Sequence, residues 1–144
     1  MATENLPSED EINLRLAKVS LLSGEVKKSS EYLNSIQDPN KLNEKNQIER
    51  SLILASIAEK EEKLDIAMLA LNELTEHWKG SPALLAEHWL MLAKLNHELK
   101  NNEKAIGWLS KIIDIAVKTP DVIKKNIVAE ALELEGDLYE KRGQ

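Results

Sequence analysis

Apolar residues recur along this chain at helical spacing, in blocks separated by short polar breaks. The last block shows the pattern in its simplest form. Ile127, Ala131, Leu134 and Leu138 follow one another at i, i+4, i+7 and i+11, with Glu130, Glu133 and Asp137 between them and Glu140 after them. That is one apolar stripe on a charged helix. Asp38-Pro39, Ser81-Pro82 and Thr119-Pro120 each join a side-chain oxygen able to cap a helix to a proline suited to its first position, so long helices are predicted to start there. Breaks at Ser23-Gly24, Glu61-Glu62, Lys79-Gly80 and Lys100-Asn101-Asn102 close others. The result is about seven helices, at roughly 8–22, 25–36, 39–61, 64–79, 82–100, 102–118 and 120–142, with no linker between them.

The blocks are copies of one another. Glu11, Leu14, Leu16, Ala17 and Val19 reappear 38 residues later as Glu49, Leu52, Leu54, Ala55 and Ile57, and again as Glu87, Leu90, Leu92, Ala93 and Leu95. Ser29, Leu33 and Ile36 step by the same interval to Ala67, Leu71 and Leu74, then to Ala105, Leu109 and Ile112. A fourth copy opens with Glu130, Gly136, Leu138 and Tyr139, displaced by a five-residue insertion. Small residues at Ala17, Ala55, Ala93 and Gly136, and at Ser29, Ala67 and Ala105, let the two helices of a hairpin approach closely, while Leu and Ile fill the ridges around them. A lone hairpin leaves one face bare, so such units are expected to stack. The expected architecture is all-α, a single domain over 1–144 with units at about 8–37, 39–79 and 82–118 and a final helix at 120–142.

Composition narrows the class of work. The chain is 42% hydrophobic and 31% charged, with no Phe, so a core is affordable and a turn-rich β fold is not favoured. A net charge of −6 argues against nucleic acid, whose affinity rests on clustered Lys and Arg. The most apolar stretches, 52–58 and 83–93, are too short to cross a bilayer, so no membrane insertion is expected. Met1–Asp10 lacks the basic and apolar regions of a signal peptide, making the cytoplasm the expected location; the absence of cysteine suits the periplasm equally.

The repeat resembles the tetratricopeptide repeat (TPR) family, most closely in Trp89-x2-Leu92-Ala93-x2-Asn96 with Ala105-x3-Leu109. Ser51-x2-Leu54-Ala55-x2-Ala58 with Ala67-x3-Leu71 follows it, and Leu132, Gly136-x2-Tyr139 and Gly143 continue it. The period is longer than the usual repeat of about 34 residues, the aromatic columns are mostly aliphatic or polar, and Glu135 replaces the family's Leu. HEAT-like or other helical repeats are the alternative. The resemblance implies a right-handed α-solenoid of antiparallel hairpins whose first helices line a concave groove for a peptide or helix of another protein. The groove positions it implies are Glu11, Leu14, Lys18 and Leu21; Glu49, Leu52, Ser56 and Glu59; and Glu87, Leu90, Lys94 and His97.

Residues 11, 14, 18 and 21 also share one helix face by spacing alone, apart from the face that carries Ala17. Stacked faces of this kind form rows of carboxylates, of leucines, and of Lys, Ser and Lys. Such a surface suits a partner segment with apolar anchors and basic flanks. Alternatively the leucine row packs against the preceding unit and the glutamates are merely solvated. The expected function is a non-enzymatic interaction scaffold, with a holdase chaperone or a protein that self-associates through its solenoid ends as alternatives.

Chemistry is sparse. His88 and His97 are nine residues apart and so on opposite faces of a helix, and His97-Glu98-Leu99-Lys100-Asn101 has Asn where a zinc-binding helix needs its second His. Glu73 and His77 at i, i+4 read as a surface hydrogen bond. The five glycines form no phosphate loop and no serine occupies a nucleophile elbow. No catalytic residue, metal site or cofactor is expected. Of the tryptophans, Trp89 is expected to wedge a hairpin, Trp108 to lie near the surface, and Trp78 to be the best candidate for a partner anchor, with burial the competing role for each.

Overall fold

A computed structural model describes residues 6–142, and among them it contains seven α-helices and no strand. They are α1 (Glu9–Leu22), α2 (Val26–Asn34), α3 (Glu44–Lys60), α4 (Leu64–His77), α5 (Ala86–Glu98), α6 (Asn102–Lys118) and α7 (Lys125–Arg142). The all-helical expectation holds. The chain divides into two compact units, Met1–Glu76 and His77–Gln144. In the first, α1 and α2 pack together and α3 lies against both; in the second, α5 and α6 pack together and α7 lies against both.

The hairpin turn is where the 38-residue period is written into the backbone. After α1, the Gly24 N–H donates to the Leu21 carbonyl (3.0 Å) and the Glu25 N–H to the Ser20 carbonyl (2.8 Å). After α3, Glu62 donates to Glu59 (3.0 Å) and Lys63 to Ala58 (2.8 Å); after α5, Lys100 donates to His97 (3.0 Å) and Asn101 to Asn96 (2.8 Å). Two bonds of this kind around a left-handed residue form a Schellman cap, which satisfies the last carbonyls of a helix and reverses the chain. The left-handed residue is Gly24 (φ 82°), Glu62 (φ 62°) or Lys100 (φ 63°), each 38 positions from the next. Only the first copy uses glycine. The side chains of Glu62 and Lys100 make that backbone less favourable by about 1 kcal/mol each.

The small columns are buried as the hairpins require. Ala17, Ala55, Ala93, Ser29, Ala67 and Ala105 have no exposed surface. The Ser29 hydroxyl donates to the Ala17 carbonyl at 2.7 Å, which brings the small residues of α1 and α2 together. Similarly, the Ser51 hydroxyl of α3 reaches the Ala70 carbonyl of α4 at 3.3 Å. Leu14, Ala17, Leu33, Ile36, Leu42, Ile53 and Ile57 make the core of the first unit. Gly136 departs from the expectation: it is exposed, and a Cβ added there would meet nothing within 4 Å. No second helix follows α7 among the described residues, so its small position meets no hairpin partner.

The proline signals mark helix entries less closely than predicted. Pro39 opens a 3-10 turn, Pro39–Lys41, and α3 starts only at Glu44, where the Asn43 side chain accepts from the Asn46 N–H at 2.8 Å. Asn43 outcompetes Asp38 as the cap because its oxygen meets a free N–H of the first turn. Pro82 opens a 3-10 turn, Pro82–Leu85, that runs directly into α5. Pro120 begins no helix; Asp121 is left-handed (φ 68°) and α7 starts at Lys125. The five-residue insertion does not lengthen this connection, which is shorter than those before α3 and α5; α6, with 17 residues, is longer than α2 and α4.

Candidate functional site

The residues expected to line a groove lie on α1, α3 and α5, and the structure divides them by chemistry. On α1, Ser8 caps the helix by accepting from the Glu11 N–H at 3.1 Å, which sets Glu11 in the first turn. Lys18, two turns on, reaches across to α3 and pairs with Glu49 at 2.5 Å. On α5, Lys94 reaches α7 and pairs with Glu130 at 2.6 Å, while Glu87 is 3.8 Å from Lys124. The separations are 31 residues for Lys18–Glu49 and 36 for Lys94–Glu130, and the difference is the five-residue insertion. One bridge between successive first helices is therefore built in each unit. The carboxylate and lysine rows face each other as partners and are not two free rows. Each bridge is substantially exposed, so its contribution is about 0.2–1 kcal/mol and its main effect is on register.

The leucine row is corrected. Leu14 is only 2% exposed and belongs to the core with Leu33, Ile36 and Ile57, and Leu90 is 8% exposed on α5, a helix flanked by α6 and α7. Helical spacing put them on a face with Glu11 or Glu87, but spacing does not say what covers a face, and here neighbouring helices do. Leu52 and Ser56 are half-buried, as are Leu21 and Glu59. His97 is half-buried, with its Nδ1 3.4 Å from the Asn102 side-chain oxygen.

His88 is fully buried, and neither ring nitrogen has a hydrogen-bond partner. Burial pushes its pKa down to about 4, so the ring is neutral at pH 7. Burial also lowers the Arg50 pKa, against the opposing pull of the Glu73 charge. Trp89 is buried and Trp108 half-buried, and the Lys111 ammonium sits 5.8 Å from each ring, a cation–π bridge within the α5–α6 hairpin. Trp78 is half-buried and its indole N–H donates to the Ser81 carbonyl at 3.0 Å, tying down the loop before α5. No group of three or more His, Asp or Glu side chains among the described residues is placed to hold a metal ion. No helix among them is long and apolar enough to cross a membrane.

One surface escaped the reading of the chain. Ile12, Leu16, Val19 and Leu22 on α1 are 44%, 39%, 60% and 78% exposed, and their spacing of four, three and three residues puts them along one side of the helix. The signal was in the repeat columns themselves. Leu16 and Val19 align with Leu54 and Ile57 and with Leu92 and Leu95, which are half-buried or buried; on α1 no described helix covers the same columns.

No protein-family model matches the chain, and neither a curated protein nor a solved structure is significantly similar to it.

Proposed function

We propose that the chain is a non-enzymatic protein-binding module whose hairpins stack as a right-handed, TPR-like solenoid. The observation that carries this reading is the hairpin turn repeated at Gly24, Glu62 and Lys100 with the same two hydrogen bonds each time. Stacked repeats present long side-chain surfaces, and their usual work is to hold a segment of another protein. With Leu14 and Leu90 in the core, recognition on the first helices falls to Glu11, Lys18, Glu49, Leu52 and Ser56 in the first unit and to Glu87, Lys94 and His97 in the second. A partner segment with basic and apolar residues suits them: its cations would compete with Lys18 and Lys124 for carboxylates already held at the surface. The test is fluorescence anisotropy of a synthetic amphipathic Lys/Leu helix against the full chain. Binding should weaken about tenfold in Glu87→Lys with unchanged thermal melting, and fall with added salt. Equal affinity for an Asp/Leu helix of the same pattern would contradict the assignment.

A further inference from the structure

We propose that the outer face of α1 is a second docking site, one that receives an amphipathic helix of another protein in the way α3 is received by α2. The inference rests on the packing of the first unit, not on the proposed row of first-helix side chains. Columns 12, 15, 16 and 19 of α1 correspond to Arg50, Ile53, Leu54 and Ile57 of α3, and, allowing for the insertion, to Ala131, Leu134, Glu135 and Leu138 of α7. On α3 these columns meet the preceding hairpin, where Ile53 and Ile57 share a core with Leu33 of α2 and with Ile36 just past its end, flanked by Tyr32 and Leu54. On α7, which lies against α6, Ala131 and Leu138 have no exposed surface. On α5 the counterparts His88, Leu92 and Leu95 are also fully buried. Among the described residues only the α1 copy is uncovered, and it keeps apolar residues of a joint.

The joints already present describe the occupant. α2 and the residues just after it carry Tyr32-Leu33-x2-Ile36, and α6, which lies against α7, carries Trp108-Leu109-x2-Ile112, so the two joints share an aromatic residue, a leucine and an isoleucine at the same sequence spacing. The α1 face differs at one column, where the exposed Arg15 stands in place of Ile53 and Leu134. A cation there calls for a carboxylate on the incoming helix. The partner is therefore a helix with an aromatic-Leu-x2-Ile stripe and an acidic residue at its edge. A second copy of this chain is a poor occupant, because its α2 and α6 already lie against α3 and α7.

The experiment uses the full chain and, as probe, a synthetic peptide of the α6 sequence, Asn102–Lys118, followed by anisotropy. Saturable binding is expected, weakened by about tenfold or more in Leu16→Lys/Val19→Lys and in Arg15→Glu/Leu22→Lys, and unchanged in the α7 variant Leu132→Lys. Because these α1 side chains are exposed, both double variants should melt like the parent, and the second keeps the test open should the first misfold. The parent failing to bind, or binding that survives both α1 variants, would overturn the proposal. So would concentration-dependent growth in mass by light scattering that the α1 variants abolish, since that assigns the face to a second copy. Loss of Lys/Leu-helix binding in Glu87→Lys with the α6 peptide still bound would separate this site from the first.

Discussion

The first and last helices of the chain treat solvent in opposite ways. Both belong to the same repeat, and both lack a neighbour on one side among the described residues. On α7 the open columns are those that face the second helix of a hairpin elsewhere, and they carry Glu133 and Glu140 where α1 carries the buried Leu14 and the half-buried Leu21. That face is wettable as it stands, and Gly136 lies on it without a close neighbour. On α1 the open columns are those of the joint to an earlier hairpin, and they remain Ile12, Leu16 and Val19. An exposed apolar stripe on α1, when the open face of α7 is acidic, is better explained by use than by neglect.

The comparison breaks most severely at column 19. Ile57→Lys should destabilise the chain by about 3–5 kcal/mol in urea unfolding, since it buries an unpaired ammonium in the core, whereas Val19→Lys in the same column should stay within about 0.5 kcal/mol. Equal costs would mean that α1 is covered after all. Column 12 gives the next largest effect. His88 is neutral when folded, with its pKa depressed to about 4, while an unfolded histidine titrates near 6.5. The unfolded chain therefore binds the proton first, and stability falls as pH drops from about 6.5 and levels off below about 4. The full loss is about 3 kcal/mol. His88→Leu should remove this part of the acid sensitivity, measured as the difference between the two proteins' unfolding free energies at pH 7 and pH 4.5. No difference would show that the ring gains a partner on protonation.

Smaller effects sharpen the repeat itself. Glu62→Gly and Lys100→Gly should each raise stability by about 1 kcal/mol and Gly24→Ala should lower it by a similar amount, because all three positions are left-handed. A gain at one position and a loss at the other would mean that the turns are not equivalent. Gly136→Ala should add about 0.5–1 kcal/mol by helix propensity alone, since nothing waits within 4 Å of the new methyl. A loss there would reveal a helix seated on α7.

The period and its small columns were legible because they are properties of sequence spacing: residues 17, 55 and 93 had to be small wherever the hairpins closed. The turns were legible as breaks, although two of the three left-handed residues are Glu62 and Lys100, which carry no glycine signal. The proline entries misled because Asp38 and Asn43 can both cap a helix, and which one does so depends on where the first free N–H falls. The fate of Leu14 and Leu90 was not legible. A helical face is defined by local periodicity, but its covering is decided by contacts with residues far along the chain, and in the first unit α2 and α3 supply them. The ion pairs were half legible: the rows of Glu and Lys were visible, and their pairing required knowing that α1 lies beside α3 and α5 beside α7.

The chain has no cysteine, so single cysteines can be placed at one column in each copy and their thiol labelling rates compared in native buffer. Val19→Cys, Ile57→Cys, Leu95→Cys and Leu138→Cys report on the same repeat column in α1, α3, α5 and α7. Val19→Cys should label about a hundredfold faster than the other three, whose reaction must wait for local opening. Similar rates at all four positions would contradict the claim that α1 alone carries an uncovered joint.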